Sequence, residues 1–284
     1  MARSKLRYQS AIRAGENKIC ELGLAELPIN PIEIASQHTI LVEPKPSTEP
    51  GVSGFLMKRG DAFGIMYATD IDNEGRKRFT VAHELGHYFL PGHPELLFRN
   101  GNGVHASRSG FITHDHTELE ADHFATGLLM PSHLFIAAIA DKDDEGFKTI
   151  ERLAARCVTS LTATAIRYAQ CSDDPVVVIV TEGDRVEFSF MSGVIRDLQG
   201  IDWMTKGSVI SRRTATFQFN QDRENIVRCR RSEAWTTLDL WLDGAPDVEM
   251  KEDVVGLGGY GKTLTVLFTE EPIETERDDD DDDD

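Results

Sequence analysis

The fifteen residues from Phe79 to His93, FTVAHELGHYFLPGH, constrain the fold of this chain more than any other segment. Their apolar positions follow the helical period, and Pro91-Gly92 predicts where the helix ends. Within this helix His83 and His87 are four residues apart, so both imidazoles project from one face, one turn apart. The chain must therefore fold so that a helix presents two histidines at the edge of its buried side.

The spacing of this histidine pair is typical of a catalytic metal site. Two imidazoles on one helical face can bind a single divalent ion, with Zn²⁺ as the first choice and Mn²⁺ as the alternative. Glu84 adjoins His83 and is the natural general base for a water molecule on that ion. A catalytic zinc ion usually takes three protein ligands, so the sequence must supply one more besides His83 and His87.

His93 is one candidate for the third ligand. It lies where the longer pattern HExxHxxGxxH has its last histidine. That pattern has a glycine where this chain has Leu90, and Pro91-Gly92 would have to turn the chain in a different way. His93 is therefore an alternate rather than the preferred ligand.

A predicted helix from Thr117 to Leu129 offers two further candidates, Glu118 and Glu120. At about 100° per residue they project about 200° apart, so one helix cannot bring both to the same ion. Glu118 borders the apolar stripe, whereas Glu120 can close a capping box with Thr117. Asp122, one turn after Glu118, is placed to accept a hydrogen bond from a ligating histidine. We therefore expect Glu118 as the ligand, Asp122 behind a histidine, and Glu120 as a second alternate.

The rest of the sequence predicts an α+β protein. Helices are expected over Tyr8–Leu22 and after Pro31, and a hairpin around Lys58–Asp61. The stretch His93–His116 shows no clear periodicity. From Asp173 onward the sequence pattern predicts strands, among them VVVIV, RVEFSF, TATFQF and KTLTVLF. The predicted order is a mainly helical HExxH domain with a small sheet (1–141), a helix-turn-helix-like helical segment (142–172), a β-rich C-terminal domain (173–277) and a disordered acidic tail (278–284).

Charge and composition limit the partners. The chain of 284 residues has a net charge of −18, and the run Asp278–Asp284 carries seven of these charges. An acidic field disfavours phosphate contacts, so we expect no direct nucleic-acid binding, even by the helical pair with Arg152, Arg156 and Arg167. Apolar runs such as LFIAAIA are far shorter than a bilayer span, and the scattered cysteines form no CxxC pair. We predict a soluble, cytoplasmic protein that does not bind membranes.

The stretch FTVAHELGHYFL followed by ELEADHFATGLLMP resembles the ImmA/IrrE family of intracellular metallopeptidases, whose pattern is a HExxH helix and then a glutamate-bearing helix ending in LLMP. The resemblance spans about residues 10–170 and includes LPINPIEIASQHTILVE. It implies that His83, His87 and Glu118 bind the metal and that Glu84 is the base. It also implies a substrate class, helix-turn-helix repressors that are cleaved once to release the genes they silence.

Three features depart from the family pattern. The stretch between the two motif helices is long and rich in histidine, and Asp122 stands where the family often has Asn. From about Asp173 the resemblance is weak, and GGYGKTLTVLF is its most similar piece. Substrate contacts and the C-terminal domain therefore follow less directly from the resemblance than the metal site does.

The sequence favours a metal-dependent endopeptidase that cleaves a helix-turn-helix repressor. The alternative is a non-catalytic, metal-containing module that binds a repressor or another partner protein. Candidate donors to the oxyanion are Tyr88, His105, His114 and His116, each of which also fits an ordinary packing or surface role. The C-terminal strands are candidates for a sensor or substrate-docking domain. Its basic residues, which either face solvent or contact an acidic partner, are Arg212, Arg213, Arg228, Arg230 and Arg231.

Overall fold

The structure is a computed structural model that describes residues 2–46, 51–69, 73–108, 115–141, 146–269, 271 and 273, with side chains from residue 6 onward. The chain divides into two compact units, one of residues 1–141 and 151–163 and the other of residues 142–150 and 164–284. Each unit contains helices and one sheet, which confirms the α+β prediction. The predicted acidic tail lies outside the described residues.

In the described part of residues 1–141, the first unit combines a small mixed sheet with six helices. The helices are α1 (Ala2–Glu21), α2 (Pro31–Gln37), α3 (Glu74–Phe89), α4 (His93–Leu97), α5 (His116–Leu129) and α6 (Ser132–Ala140). The strands are β1 (Leu41–Lys45), β2 (Gly54–Arg59), β3 (Ala62–Ala68) and β4 (Gly103–Ser107). The strand order is β1-β3-β2-β4, with β1 parallel to β3 and the other pairs antiparallel. Helix α3, which carries HELGH, packs on β2 and β3.

Side-chain caps define where the two motif helices begin. Asn73 accepts a hydrogen bond from Arg76 N at the start of α3, and Asp115 accepts one from Thr117 N at the start of α5. Such caps stabilise a helix by about 1 kcal/mol. The predicted capping box of Thr117 with Glu120 is wrong, because Asp115 takes the capping position and leaves Glu120 free for other contacts.

Glycines allow three helices of the first unit to approach at backbone distance. A Cβ atom on Gly15 of α1 would collide with the backbone of α5, and one on Gly127 of α5 would collide with the backbone of α1. A Cβ atom on Gly86, inside HELGH, would lie 3.0 Å from the Cα atom of Ala121. Helix α5 therefore packs closely on both α1 and α3, which brings its acidic residues next to the histidines.

In its described residues, the stretch without clear periodicity, 93–116, contains two short elements. Helix α4 has five residues, and strand β4 pairs antiparallel with β2, where His105 lies opposite Leu56. Both are too short for their period to be read from the sequence. Helix α1 was also longer than predicted, since it begins at Ala2 rather than at Tyr8.

Two helices follow the first set, α7 (Phe147–Cys157) and α8 (Leu161–Cys171), with the predicted short turn between them at residues 158–160. The division between the two units falls inside both helices. Two arginines of α7 are engaged within the chain, because Arg152 donates to Ala138 O and Arg156 pairs with Asp141, each at 2.9 Å.

Among the described residues no single helix has the length and apolar composition to cross a membrane, and α5 with α6 meets that test only as a pair bent by 49°.

The second unit is built on a five-stranded antiparallel sheet of order β6-β5-β9-β8-β7. Its strands are β5 (Val176–Glu182), β6 (Arg185–Met191), β7 (Arg231–Thr237), β8 (Glu249–Gly256) and β9 (Thr263–Phe268). Its short helices are α9 (Gly193–Arg196), α10 (Ala215–Asn220) and α11 (Arg223–Val227). The predicted strands VVVIV, RVEFSF and KTLTVLF are confirmed. One face of the sheet packs into a core with Ile195, Trp241 and Leu242.

The predicted strand TATFQF is wrong, because this segment forms helix α10. Thr214 caps the helix by accepting a hydrogen bond from Phe217 N at 3.1 Å. The buried carboxylate of Glu252, on β8, accepts hydrogen bonds from Ala215 N and Thr216 N at 3.2 and 2.6 Å. These contacts satisfy the first N–H groups of a helix, and they override a local alternation that favours a strand.

Candidate metal centre

Two histidines of α3 and one glutamate of α5 converge at a single point. The Nε2 atoms of His83 and His87 are 3.1 Å apart. The carboxylate of Glu118 lies 3.5 Å from the first and 3.2 Å from the second. Both imidazoles are fully buried and Glu118 is nearly so. Among the residues that the structure describes, these three form a group whose ligand atoms all lie within 4.8 Å of one another, a spacing that fits one metal ion.

Asp122 lies directly behind one member of the pair. Its Oδ1 atom is 2.8 Å from Nδ1 of His83, and both side chains are fully buried. An ionised carboxylate can only accept, so Nδ1–H of His83 donates to Asp122, and Nε2, which faces His87 and Glu118, is the atom left to bind a metal. The structure thus shows a hydrogen bond from His83 to Asp122, in the direction that the sequence predicts.

The two alternate ligands, His93 and Glu120, contact each other away from this point. Nδ1 of His93 is 3.1 Å from Nδ1 of His87, and Nε2 of His93 is 3.1 Å from Oε2 of Glu120. The other oxygen of Glu120 accepts a hydrogen bond from Nε of Arg7, on α1, at 2.6 Å. Burial raises the pKa of Glu120, but the hydrogen bonds from Arg7 and His93 outweigh burial and lower it overall.

The donor set suits a divalent cation. Two imidazole nitrogens and one carboxylate are a common catalytic zinc set, which leaves a position open for water. Burial lowers the pKa of His83, but hydrogen bonds to Asp122 and Glu118 outweigh it and raise that pKa to about 10. Burial lowers the pKa of His87 to about 3, although Glu118 acts against it. A proton on His83 thus balances the buried carboxylates, and a bound metal ion has to displace it.

Strand β4 holds the third donor in place. His105 donates from Nε2 to Glu118 Oε1 at 2.8 Å, and the backbone N–H of Arg108 donates to Oε2 at 3.3 Å. Burial raises the pKa of Glu118, but the neighbouring imidazoles of His105, His83 and His87 outweigh burial and hold this pKa far below its usual range. Glu118 therefore stays ionised, as a metal ligand must.

Glu84 is fully buried, and within the described part of the chain neither of its carboxylate oxygens has a hydrogen-bond partner. Burial raises its pKa to about 7, while the charge of His83 and the nearby Ser107 act in the opposite direction. The carboxylate fits beneath strand β2 because residue 54 is glycine. A Cβ atom on Gly54 would lie 2.6 Å from Oε1 of Glu84 and 2.5 Å from Cγ2 of Thr80.

The candidate oxyanion donors lie in different places. Tyr88 packs against Phe63, with ring centroids 5.0 Å apart, and His116 bonds the hydroxyl of Tyr8 at 2.7 Å. His105 is the one of these that contacts the group of three, through Glu118. His114 lies outside the described residues.

Sequence reasoning missed the role of Gly54 and of Arg7. Each acts on a side chain far away in the sequence, Glu84 and Glu120 respectively, so no local pattern marks either residue. For His105, the only signal was its place among several histidines between the two motif helices.

The fold and this centre are those of a metallopeptidase-type protein. Residues 35–168 match the family model Peptidase_M78, described as the IrrE N-terminal-like domain. The match over these residues supports an ImmA/IrrE family protein.

Similarity to other known proteins is more distant. Among solved structures the chain is similar to one described as a Mycobacterium tuberculosis transcriptional regulator, with a TM-score of 0.57 and 13% identity over 94% of this chain and 81% of that chain. At that identity the likeness concerns the fold alone. No curated protein matches the chain.

Proposed function

We propose that the chain is a metal-dependent endopeptidase that acts in the cytoplasm and cuts a helix-turn-helix transcriptional repressor. The match of residues 35–168 to a peptidase family model supports hydrolysis of a peptide bond. The resemblance to ImmA/IrrE peptidases supports a repressor as substrate. We propose no direct contact with nucleic acid and no membrane association.

His83, His87 and Glu118 would hold the ion. Zn²⁺ is the preferred ion for two imidazoles and one carboxylate, and Mn²⁺ is the alternative. When bound, the ion lowers the pKa of a water molecule in its open position and polarises the carbonyl oxygen of the scissile peptide. Asp122 and His105 keep His83 and Glu118 oriented for this purpose.

Glu84 performs the proton transfers. Its carboxylate takes a proton from the attacking water and later gives that proton to the leaving amine. A base works best when its pKa is near the working pH, and burial brings the pKa of Glu84 to about 7. Because neither of its oxygens is engaged by the described residues, Glu84 can accept a proton without first breaking a hydrogen bond.

The observation that carries the proposal is the contrast inside one helical turn. His83 is oriented by a hydrogen bond, and the adjacent Glu84 is buried just as completely but has no hydrogen-bond partner among the described residues. Burying a carboxylate without a hydrogen-bond partner lowers the stability of the fold. Such a group is therefore expected to have a function. Because Glu84 lies next to the three candidate metal ligands, His83, His87 and Glu118, the function that fits it best is that of a general base in hydrolysis.

Substitution of the proposed base tests this function. Glu84→Gln should retain the metal and lower the rate of repressor cleavage by about 10²- to 10⁴-fold, since general-base catalysis contributes that much. The measurement is a gel-based cleavage assay with zinc against helix-turn-helix proteins encoded near the gene, together with metal analysis of each variant. Glu95→Gln, on the exposed side of α4, is the matched control and should cleave normally.

Two outcomes would contradict the proposal. Cleavage at the wild-type rate by Glu84→Gln would remove Glu84 as the base. Stable binding of a repressor by the zinc-loaded wild-type protein, without any cut, would favour the non-catalytic module instead.

A further inference from the structure

A continuous line of hydrogen bonds leads from the motif helix to the N-terminal helix. It runs from His87 to His93, from His93 to Glu120 and from Glu120 to Arg7, over distances of 3.1, 3.1 and 2.6 Å. His87 and His93 are buried, whereas the side chain of Arg7 is 52% exposed. The line therefore joins the interior of the candidate metal centre to the surface of α1.

The chemistry of the two end groups determines the direction of every hydrogen bond between them. Arg7 can only donate, and an ionised Glu120 can only accept. His93 must therefore donate from Nε2 to Glu120, which leaves its Nδ1 atom as an acceptor in the neutral ring. That atom can accept only from Nδ1–H of His87. Nε2 of His87 is then left with its lone pair facing His83 and Glu118.

We propose that His93, Glu120 and Arg7 are positioning residues that hold His87 in the tautomer and orientation needed to bind the metal. The inference rests on the proposed role of His87 as a ligand. It gives the two alternate ligands of the sequence a different task, since neither binds the ion and both prepare a residue that does. It also makes α1, which lies outside both motifs, part of the metal centre.

The two histidines are supported in different ways. His83 meets its carboxylate directly, at 2.8 Å in the interior. The support of His87 passes through a second imidazole to a carboxylate that is itself held by a partly exposed arginine. The outer part of this line, His93, Glu120 and Arg7, also lines a pocket of about 430 Å³ between α1, the end of α3 and α5. The line can thus be altered from the surface without substituting any of the ligands themselves.

His93 is the place to test the proposal, because two substitutions of similar size differ in one property. Gln in place of His93 can accept from His87 and donate to Glu120, so the direction of the hydrogen bonds is preserved. Phe fills the volume but offers no acceptor. His93→Phe should raise the zinc dissociation constant by about 10- to 100-fold, the usual effect of losing a group that orients a metal ligand. His93→Gln should restore most of that affinity.

The zinc dissociation constants are measured by competition with a chelator, and the visible spectrum of the Co²⁺-loaded protein reports ligand geometry. Unfolding of the metal-free variants by urea separates a positioning role from a structural one. A structural role would lower stability equally in both variants without changing the spectrum. His123→Phe is the matched control: His123 stacks on Tyr8, with ring centroids 4.7 Å apart, and its replacement should leave zinc affinity within about twofold, a change too small for a lost orienting group.

Arg7→Met tests the surface end of this line of hydrogen bonds and leaves the buried residues unchanged. It should weaken zinc binding several-fold and change the Co²⁺ spectrum in the same direction as His93→Phe. Wild-type zinc affinity in both Arg7→Met and His93→Phe would overturn the inference. Because no repressor is needed for these measurements, they can succeed when cleavage is not found, and they can fail when Glu84-dependent cleavage is present.

Discussion

Two glutamates, one in each unit, are completely buried, but their surroundings are opposite. Glu252 accepts hydrogen bonds from Thr216 N, Thr216 Oγ1 and Ala215 N at 2.6, 2.7 and 3.2 Å. Glu84 accepts none from the described residues, and glycine at position 54 leaves it just enough space. Burial raises the pKa of Glu84 to about 7.

The difference fits a structural role for Glu252 and the proposed catalytic role for Glu84. Glu252 replaces water with N–H and O–H donors, so its burial stabilises the start of α10. Glu84 loses water without compensation, and its burial lowers stability. A fold retains such a group when it is needed for chemistry, because an engaged carboxylate would be a weak base.

The largest expected effect concerns the pH dependence of stability in the metal-free protein. The pKa of Glu84 rises from 4.5 to about 7 on folding. Its favourable contribution is therefore complete below pH 4.5 and is lost as the pH rises through 7, by about 3 kcal/mol in total. Glu84→Gln has no such titration. Urea unfolding from pH 4.5 to pH 8 should show wild type losing about this much relative to Glu84→Gln, whereas parallel curves would contradict the burial argument.

The next effect tests the space around Glu84. Gly54→Ala should push the carboxylate aside and slow cleavage by about 100-fold while zinc binding persists, since displacement of a catalytic group by about 1 Å costs that much. Gly64→Ala, on the neighbouring strand β3, is the control, because its new Cβ atom would meet only the flexible end of Met57 at 3.2 Å and Leu41 O at 3.7 Å. Equal rates of cleavage by Gly54→Ala and Gly64→Ala would show that the close approach of residue 54 to Glu84 does not affect catalysis.

The smallest effect concerns the second glutamate. Glu252→Gln places an amide N–H₂ group against backbone and hydroxyl donors and should lower the free energy of unfolding by about 1–2 kcal/mol. Repressor cleavage should be unchanged at a temperature where the variant is folded. Denaturant unfolding of the second unit, monitored by tryptophan fluorescence, measures the change. A variant as stable as wild type would remove the contrast between the two glutamates.

Local patterns in the sequence predicted much of the site. The four-residue spacing of His83 and His87 placed both on one face, and the apolar stripe of the later helix selected Glu118 over Glu120. In the structure these three side chains meet, and Asp122 lies behind His83. The same reading cannot predict contacts that depend on how helices pack. For this reason it offered His93 and Glu120 as two independent alternate ligands, although they contact each other.

The incorrect strand at TATFQF has a similar cause. Its alternation of Thr, Phe and small residues favours a strand locally, but Glu252, more than thirty residues later in the chain, accepts hydrogen bonds from the first N–H groups of the segment as a helix. Strand β4 was missed because a five-residue strand of small and polar residues carries almost no periodic signal. Long-range contacts thus decide both the helix and the edge of the sheet.

The glycine contact between α1 and α5 also sets an angular relation. Gly15 and Gly127 let the two backbones touch, so α1 can neither rotate nor slide without a collision. Arg7 lies about two turns before Gly15, and its direction toward Glu120 depends on the number of residues between them. One residue inserted there would turn the guanidinium by about 100° around the helix axis. The spacing between a packing glycine and a surface arginine is therefore under the same geometric constraint as the spacing of the two motif histidines.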